Sequence, residues 1–124
     1  DVVCALLDAR RDEVYAGAYR RAADGLTEHA PTTALPVGDL PEWLGTVEGQ
    51  LWLVGDGAPK SEEALASGTT SCTVVPANET PPSAAWVARC GRQRLDAHGP
   101  ADLASLEPLY VKDVHATPAP SPFS

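Results

Sequence analysis

The sequence has no methionine, a single phenylalanine, only three cysteines, and nine Lys and Arg residues against 17 Asp and Glu. Each scarcity excludes something. A translated chain begins with methionine, and a bulky acidic second residue generally protects it from removal. A sequence that opens with Asp1 directly on an apolar run is therefore expected to be the C-terminal portion of a longer protein. An intact mass of 13.0 kDa for the natural product would refute that expectation. Cys4, Cys72 and Cys90 are an odd number without a Cys-x-x-Cys spacing, so neither a disulfide framework nor a zinc knuckle is indicated. A formal charge of −8 and an isoelectric point near 4.6 argue against direct binding of nucleic acid, which needs Lys and Arg to replace the counterions condensed on a phosphate backbone. No apolar run approaches the roughly 20 residues that cross a bilayer, and no basic segment with a cleavage site opens the chain. The chain reads as soluble and cytoplasmic, with no membrane partner.

What is present is organised around Val2 to Leu7, six consecutive apolar residues. An unbroken run of that length reads as a central strand buried on both faces. The polar residues Ala9 to Glu13 and the β-rich segment Val14 to Tyr19 then give a turn and a returning strand. Ala23-Asp24-Gly25 supplies a second turn, and Leu26 to Leu35, interrupted by Pro31, fits an edge strand in which His29 is exposed. Asp39, with Pro41 and Glu42 behind it, is placed to cap a helix whose apolar face is Leu40, Trp43, Leu44 and Val47 and which Gly49 ends. Leu51 to Val54 reads as a buried parallel strand closed by Gly55-Asp56-Gly57. A helix over about Lys60 to Ser67 follows, and then a short strand from Cys72 to Val75. Ser83 precedes the longest helix, whose small residues Ala84, Ala88 and Gly91, with Val87 and Leu95, would let it lie close against the sheet. Arg89, Arg92 and Arg94 read as its solvated side; if Arg89 and Arg92 faced Cys90 they would favour its thiolate. Ala101 to Leu106 has the pattern of a further helical turn, and Glu107 to Lys112 that of a last extended segment. Residues 113–124, rich in proline, alanine and serine, bury too little to offset their ordering and read as a disordered tail after a lobe spanning 1–112.

The order βββαβαβα, with its first strand central and later strands joined through helices, is the pattern of an α/β ribonuclease-H-like mixed sheet. Asp8 then ends the first strand and Asp56 the fourth, at carboxyl ends of the kind that border ligand crevices. Two readings stay open there. The two carboxylates could hold a divalent cation for phosphoryl transfer or hydrolysis, although the third candidate, Glu13, belongs to the hairpin turn. Alternatively they close turns by accepting backbone N–H groups, which short acidic side chains do well; that reading is favoured, because two carboxylates rarely suffice for a metal. No phosphate loop, dinucleotide fingerprint, zinc-protease motif or nucleophile triad is found in the sequence.

Asp8-Ala-Arg-Arg-Asp-Glu-Val-Tyr15 resembles the Asp-Ala-Arg-x-Gly-Glu-Val-Tyr signature of the bacterial TsaB (YeaZ) family, called glycoprotease homologues in older usage. Gly55-Asp-Gly57, the helix start Pro82-Ser83-Ala84 and Glu107-Pro-Leu-Tyr-Val-Lys112 follow in the family's order, and the likeness covers the second half of a family member. Asp12 stands where the signature has glycine, and Lys112 where the ending has arginine. The resemblance implies one lobe of an actin-like ATPase fold. It further implies a noncatalytic scaffold or regulatory subunit of the complex that forms N6-threonylcarbamoyladenosine at position 37 of tRNAs reading ANN codons. Its implied partners are the transferase TsaD and the ATPase TsaE, with ATP, ADP and Mg entering only at the full complex and no resident cofactor or metal. A homodimer through apolar surface left bare is a further implied association. The matched positions Asp8, Arg10, Glu13, Tyr15, Pro108 and Tyr110 are implied to be structural or interface residues, with none catalytic.

Overall fold

A computed structural model of the chain describes residues 1–109 and 111. The expectations for Tyr110, Lys112 and the 113–124 tail lie outside the described residues. The chain forms β1 (Val2–Asp8), β2 (Glu13–Ala22), β3 (Gly25–Pro36), α1 (Leu40–Leu44), β4 (Val47–Val54), α2 (Ala58–Ala66), β5 (Thr69–Val74) and α3 (Ala84–His98). The sheet order is β3-β2-β1-β4-β5. β1 pairs antiparallel with β2 and parallel with β4, and β5 extends the parallel side. This is the mixed α/β sheet expected from the order of elements, with β1 at its centre.

Alternation along β1 sorts its residues onto two faces. Val2, Cys4 and Leu6 are buried and meet Val14, Ala16 and Ala18 of β2 and Leu51 and Leu53 of β4 in one core. Helices α1 and α2 close that core with Leu40, Leu44, Ala58 and Leu65. The second face differs from expectation. Val3 and Ala5 are only half-buried and Leu7 is exposed, so β1 is covered fully on one side alone. The apolar run was continuous for a reason other than two-sided burial, since its second face contributes to a further apolar surface with Tyr15, Tyr19 and Trp52.

β3 is an edge strand, as its proline predicts. Register shifts interrupt the β2–β3 ladder near Ala16 and Ala18, and Pro31, which has no N–H to donate, falls in the irregular stretch. His29, expected to be exposed, is half-buried and tied on both sides. Its Nε2–H donates to the Leu44 carbonyl at 3.0 Å, and its Nδ1 accepts from Arg20 Nη2 at 3.2 Å. A carbonyl can only accept and a guanidinium can only donate, so the two partners select one neutral tautomer.

The helix after Asp39 is shorter than its apolar spacing suggested. Gly45, at φ 71°, stops it after Leu44, and Val47 belongs to β4 rather than to the helix face. Asp39 and Ser83 occupy N-cap positions without a capping side-chain hydrogen bond. The segment expected to be a helical turn over Ala101 to Leu106 is a tight turn instead. There the Asp102 carboxylate accepts from the Ala104 N–H at 3.0 Å. The largest correction concerns α3, which was expected to lie against the sheet. None of its residues is buried, and no other described element packs along it.

Candidate functional site

Parallel strands β1 and β4 end side by side, and the loop after β4 folds onto the end of β1 through its backbone. The Gly57 N–H donates to the Leu6 carbonyl at 2.9 Å, and the Asp8 N–H donates to Asp56 Oδ1 at 2.8 Å. Glycine is required where the chains touch. A Cβ on Gly55, which sits at φ +98°, would stand 2.1 Å from the Leu6 oxygen, and one on Gly57 would stand 2.9 Å from the Leu7 carbonyl carbon. Gly55-Asp56-Gly57 is therefore a clasp on β1 and not a phosphate cradle.

The hairpin turn beyond β1 is held by the same cluster. Asp8 Oδ1 accepts from the Arg10 N–H at 2.9 Å and from Lys60 Nζ at 2.7 Å, while Lys60 Nζ also reaches the Arg11 carbonyl at 3.0 Å. Arg10 and Arg11 both adopt positive φ, 72° and 50°. Two consecutive left-handed residues reverse the chain within the loop between β1 and β2, where the Glu13 N–H donates to the Arg10 carbonyl at 3.1 Å, at a steric cost for any residue with a Cβ. The left-handed positions are thus Arg10 and Arg11, so Asp12, standing where the family signature has glycine, is spared the strain. The Lys60 ammonium and the Arg10 N–H hold the Asp8 carboxyl below its ordinary value of 3.8, the ammonium being the larger influence.

Structure thus brings together Asp8, Arg10 and Asp56 of the residues singled out from sequence. Glu13 and Tyr15 follow on β2, both half-buried, with Tyr15 opposite Leu7 on the second face. Pro108 is exposed in the segment after α3 and takes no part in closing this turn. Lys60 was not singled out. Its only signal was position, one of two lysines in the chain and one turn into the helix behind the Gly-Asp-Gly loop.

The cluster's chemistry is that of a closed turn. One oxygen of each carboxylate is taken up by protein donors, and the Lys60 ammonium stands where a cation bound to Asp8 would be repelled. Among the described residues no group of three or more His, Cys, Asp or Glu side chains is placed to hold a metal ion. Beside the cluster lies a cavity of about 280 Å³ lined by Leu7, Val54, Asp56, Thr80 and Pro82, in which Thr80 Oγ1 is buried without a hydrogen-bond partner among the described residues.

The three cysteines separate by environment. Burial, with the Cys72 thiol as a smaller influence, pushes the Cys4 thiol up to about 12, and burial also raises Cys72. Cys90 is exposed on α3, but the neighbouring arginines are turned elsewhere. Arg89 stacks over the Trp86 ring at 4.8 Å and Arg92 pairs with Asp96 at 3.0 Å. No described helix is long and apolar enough to cross a membrane.

No protein-family model matches the sequence, and no curated protein matches it either. Solved structures do. A Pseudomonas aeruginosa protein described as uncharacterized with similarity to the peptidase YeaZ superposes with a TM-score of 0.68 at 18% identity, over 90% of this chain and 49% of that one. YeaZ from Pseudomonas aeruginosa superposes with a TM-score of 0.62 at 20% identity, over 88% of this chain and 49% of that one. At these identities the likeness is one of fold, and this chain spans about half the length of the structures it matches.

Proposed function

We propose that the chain is a TsaB-like (YeaZ-like) second lobe and acts as a noncatalytic scaffold in the complex that makes N6-threonylcarbamoyladenosine in tRNA. The observation that carries this reading is the superposition of nearly the whole chain on one half of the YeaZ structures. It is supported by the segment that resembles the family signature, because Asp8-Ala-Arg-Arg-Asp-Glu-Val-Tyr15 forms the hairpin that the Asp56 and Lys60 contacts brace. The residues matched there shape a rigid turn at the end of the central strand. Such a turn suits contact with a partner better than it suits proton or phosphoryl transfer, because its carboxylates already hold protein donors.

The test uses the gene product that carries this sequence, with TsaD-like and TsaE-like proteins from the same source. The scaffold reading expects capture of the TsaD-like protein. It also expects tRNA hydrolysates to lose the modified nucleoside when the gene product is depleted, and modification to persist with Asp56→Asn. Tight calorimetric binding of ATP and magnesium to the protein alone, abolished by Asp8→Asn and Asp56→Asn, would replace this reading with that of a nucleotide-binding lobe.

A further inference from the structure

The cavity of about 280 Å³ beside the Gly55-Asp56-Gly57 clasp lies between a sheet floor and a linker roof. Its floor is the carboxyl end of the parallel pair, where Ala5 and Val54 stand opposite each other in register and Leu7 follows on the same side of β1. Its roof is the connection from β5 to α3, which lays Ala77, Thr80 and Pro82 over those residues. Crevices outside the carboxyl ends of parallel strands are where open α/β sheets collect ligands. All the lining residues belong to this chain, so the cavity needs no second molecule to complete it.

Both surfaces are stiff. The roof begins with the Val75 N–H bonded to the Leu53 carbonyl at 2.9 Å and turns at once, the Glu79 N–H donating to the Pro76 carbonyl at 2.9 Å. Pro76, Pro81 and Pro82 restrict φ along it and constrain the residues before them. Below, the clasp is fixed to β1 by the Gly57 N–H on the Leu6 carbonyl and the Asp8 N–H on Asp56 Oδ1. The space is thus preformed, and its size suits a molecule of about ten non-hydrogen atoms.

Its chemistry narrows the occupant. Of the described residues that line it, Asp56 and Thr80 alone have polar side chains, and none is basic. Asp56 gives Oδ1 to the Asp8 N–H, which orients the carboxylate, while its second oxygen has no hydrogen-bond partner and no basic side chain pairs with it among the described residues. The Lys60 ammonium of the same clasp is committed to Asp8 and to the Arg11 carbonyl. Thr80 Oγ1 is buried and also without a partner there. A phosphate or carboxylate would therefore meet an acid and no donor that answers it, whereas a cation is favoured by Asp56 and by the chain's charge of −8. An ammonium group has three donors and no acceptor, which complements a carboxylate oxygen and a hydroxyl oxygen that have none.

We propose that this cavity is a binding site for a small organic amine. The apolar body of the amine lies against Ala5, Leu7, Val54 and Pro82, its ammonium group donates to the second oxygen of Asp56, and Thr80 Oγ1 is the further acceptor. Charge sets this ligand apart from a nucleotide, whose phosphates the site repels. The site is separate from the scaffold role, so its loss is read in binding and not in tRNA modification.

The test is an amide NMR titration of the isotope-labelled gene product that carries this sequence. Phenethylammonium is the probe, 2-phenylethanol its uncharged counterpart and phenylacetate its anionic one. Phenethylammonium is expected to give saturable shifts at Gly55, Asp56 and Thr80 with a Kd of about 1 mM or tighter. Phenylacetate should bind at least about ten-fold more weakly. Asp56→Asn keeps an oxygen for the Asp8 N–H and removes the charge. It is expected to weaken the amine about ten-fold and to leave 2-phenylethanol within about two-fold. Ala5→Val fills the floor and should abolish binding of both, with a melting curve to show that the sheet still folds; if it does not fold, Asp56→Asn decides. No saturable shift, equal affinity for phenethylammonium and phenylacetate, or an amine affinity unchanged by Asp56→Asn would each overturn the proposal.

Discussion

The Lys60 ammonium lies 2.7 Å from Asp8 Oδ1 and 3.0 Å from the Arg11 carbonyl oxygen, so one side chain of α2 grips both the entry and the apex of the β1–β2 turn. Because this contact joins residues far apart in sequence, it registers the hairpin against the parallel half of the sheet.

It also makes part of the fold's stability sensitive to acid. The Asp8 carboxyl is held below 3.8 in the folded chain by Lys60 and the Arg10 N–H. A carboxyl depressed by folding stabilises the native state above its unfolded value and loses that contribution as pH falls through the folded one. Melting temperatures of the natural chain and Asp8→Asn should therefore differ by a constant gap above about pH 5 that closes on acidification. A gap that widens toward low pH would show that Asp8 is not the anion holding this turn.

Arg11 stores strain that glycine would relieve. Its φ of 50° brings its Cβ toward the backbone, while its contact with Lys60 uses only the carbonyl oxygen. Arg11→Gly keeps that acceptor and is expected to stabilise by up to about 1 kcal/mol, the relief of the left-handed conformation exceeding the added freedom of the unfolded chain. Urea denaturation gives the value directly, and a midpoint that falls contradicts the assignment.

Gly55→Ala should be among the most damaging single-methyl additions in the chain. The new carbon would sit 2.1 Å from the Leu6 oxygen at a φ of +98°, and neither the central strand nor the clasp can yield without breaking pairs. The expected loss is about 3 kcal/mol or more. Gly38→Ala, with nothing within 4 Å of the added carbon, serves as the comparison and should change stability by no more than about 0.5 kcal/mol.

Thiol labelling at pH 8 should follow burial rather than sequence order. Cys90 is exposed and reacts first, and Cys72, half-buried with a raised thiol, follows. Cys4, fully buried and pushed up to about 12, reacts only when the chain unfolds. Mass spectrometry of the native chain should show no third label over the time that denatured protein takes all three.

Much of this architecture was legible because local and long-range signals agree. Val2 to Leu7 announces a central strand, Pro31 an edge, and Gly55-Asp56-Gly57 a sharp turn; all three hold. Sequence erred where spacing was compatible with two structures. Val47 sits at helical distance from Leu40 but also opens a strand, and Gly45 decided between them by turning left-handed. His29 was illegible because its bonds come from Arg20 and from a backbone carbonyl at the end of a helix, neither of which leaves a pattern. For the same reason Lys60 escaped notice, since a lysine that closes a distant turn is indistinguishable in sequence from a solvated one. The amphipathic spacing of α3 was read correctly, but periodicity says which side of a helix is apolar and not which surface receives it.

The arrangement of the strands also sets an order for folding. β1 with β2 and β2 with β3 pair between neighbours in sequence, so the three-strand meander is able to form once Pro36 has been synthesised, before the pairing of β1 with β4. Val2 and Cys4 must then wait for Leu51 and Leu53, and β1 remains an unpaired apolar margin until that distant strand arrives. The interval between the two events is when the nascent chain is most open to pairing with a neighbour, and a chaperone that shields β1 would shorten the risk without altering the native state.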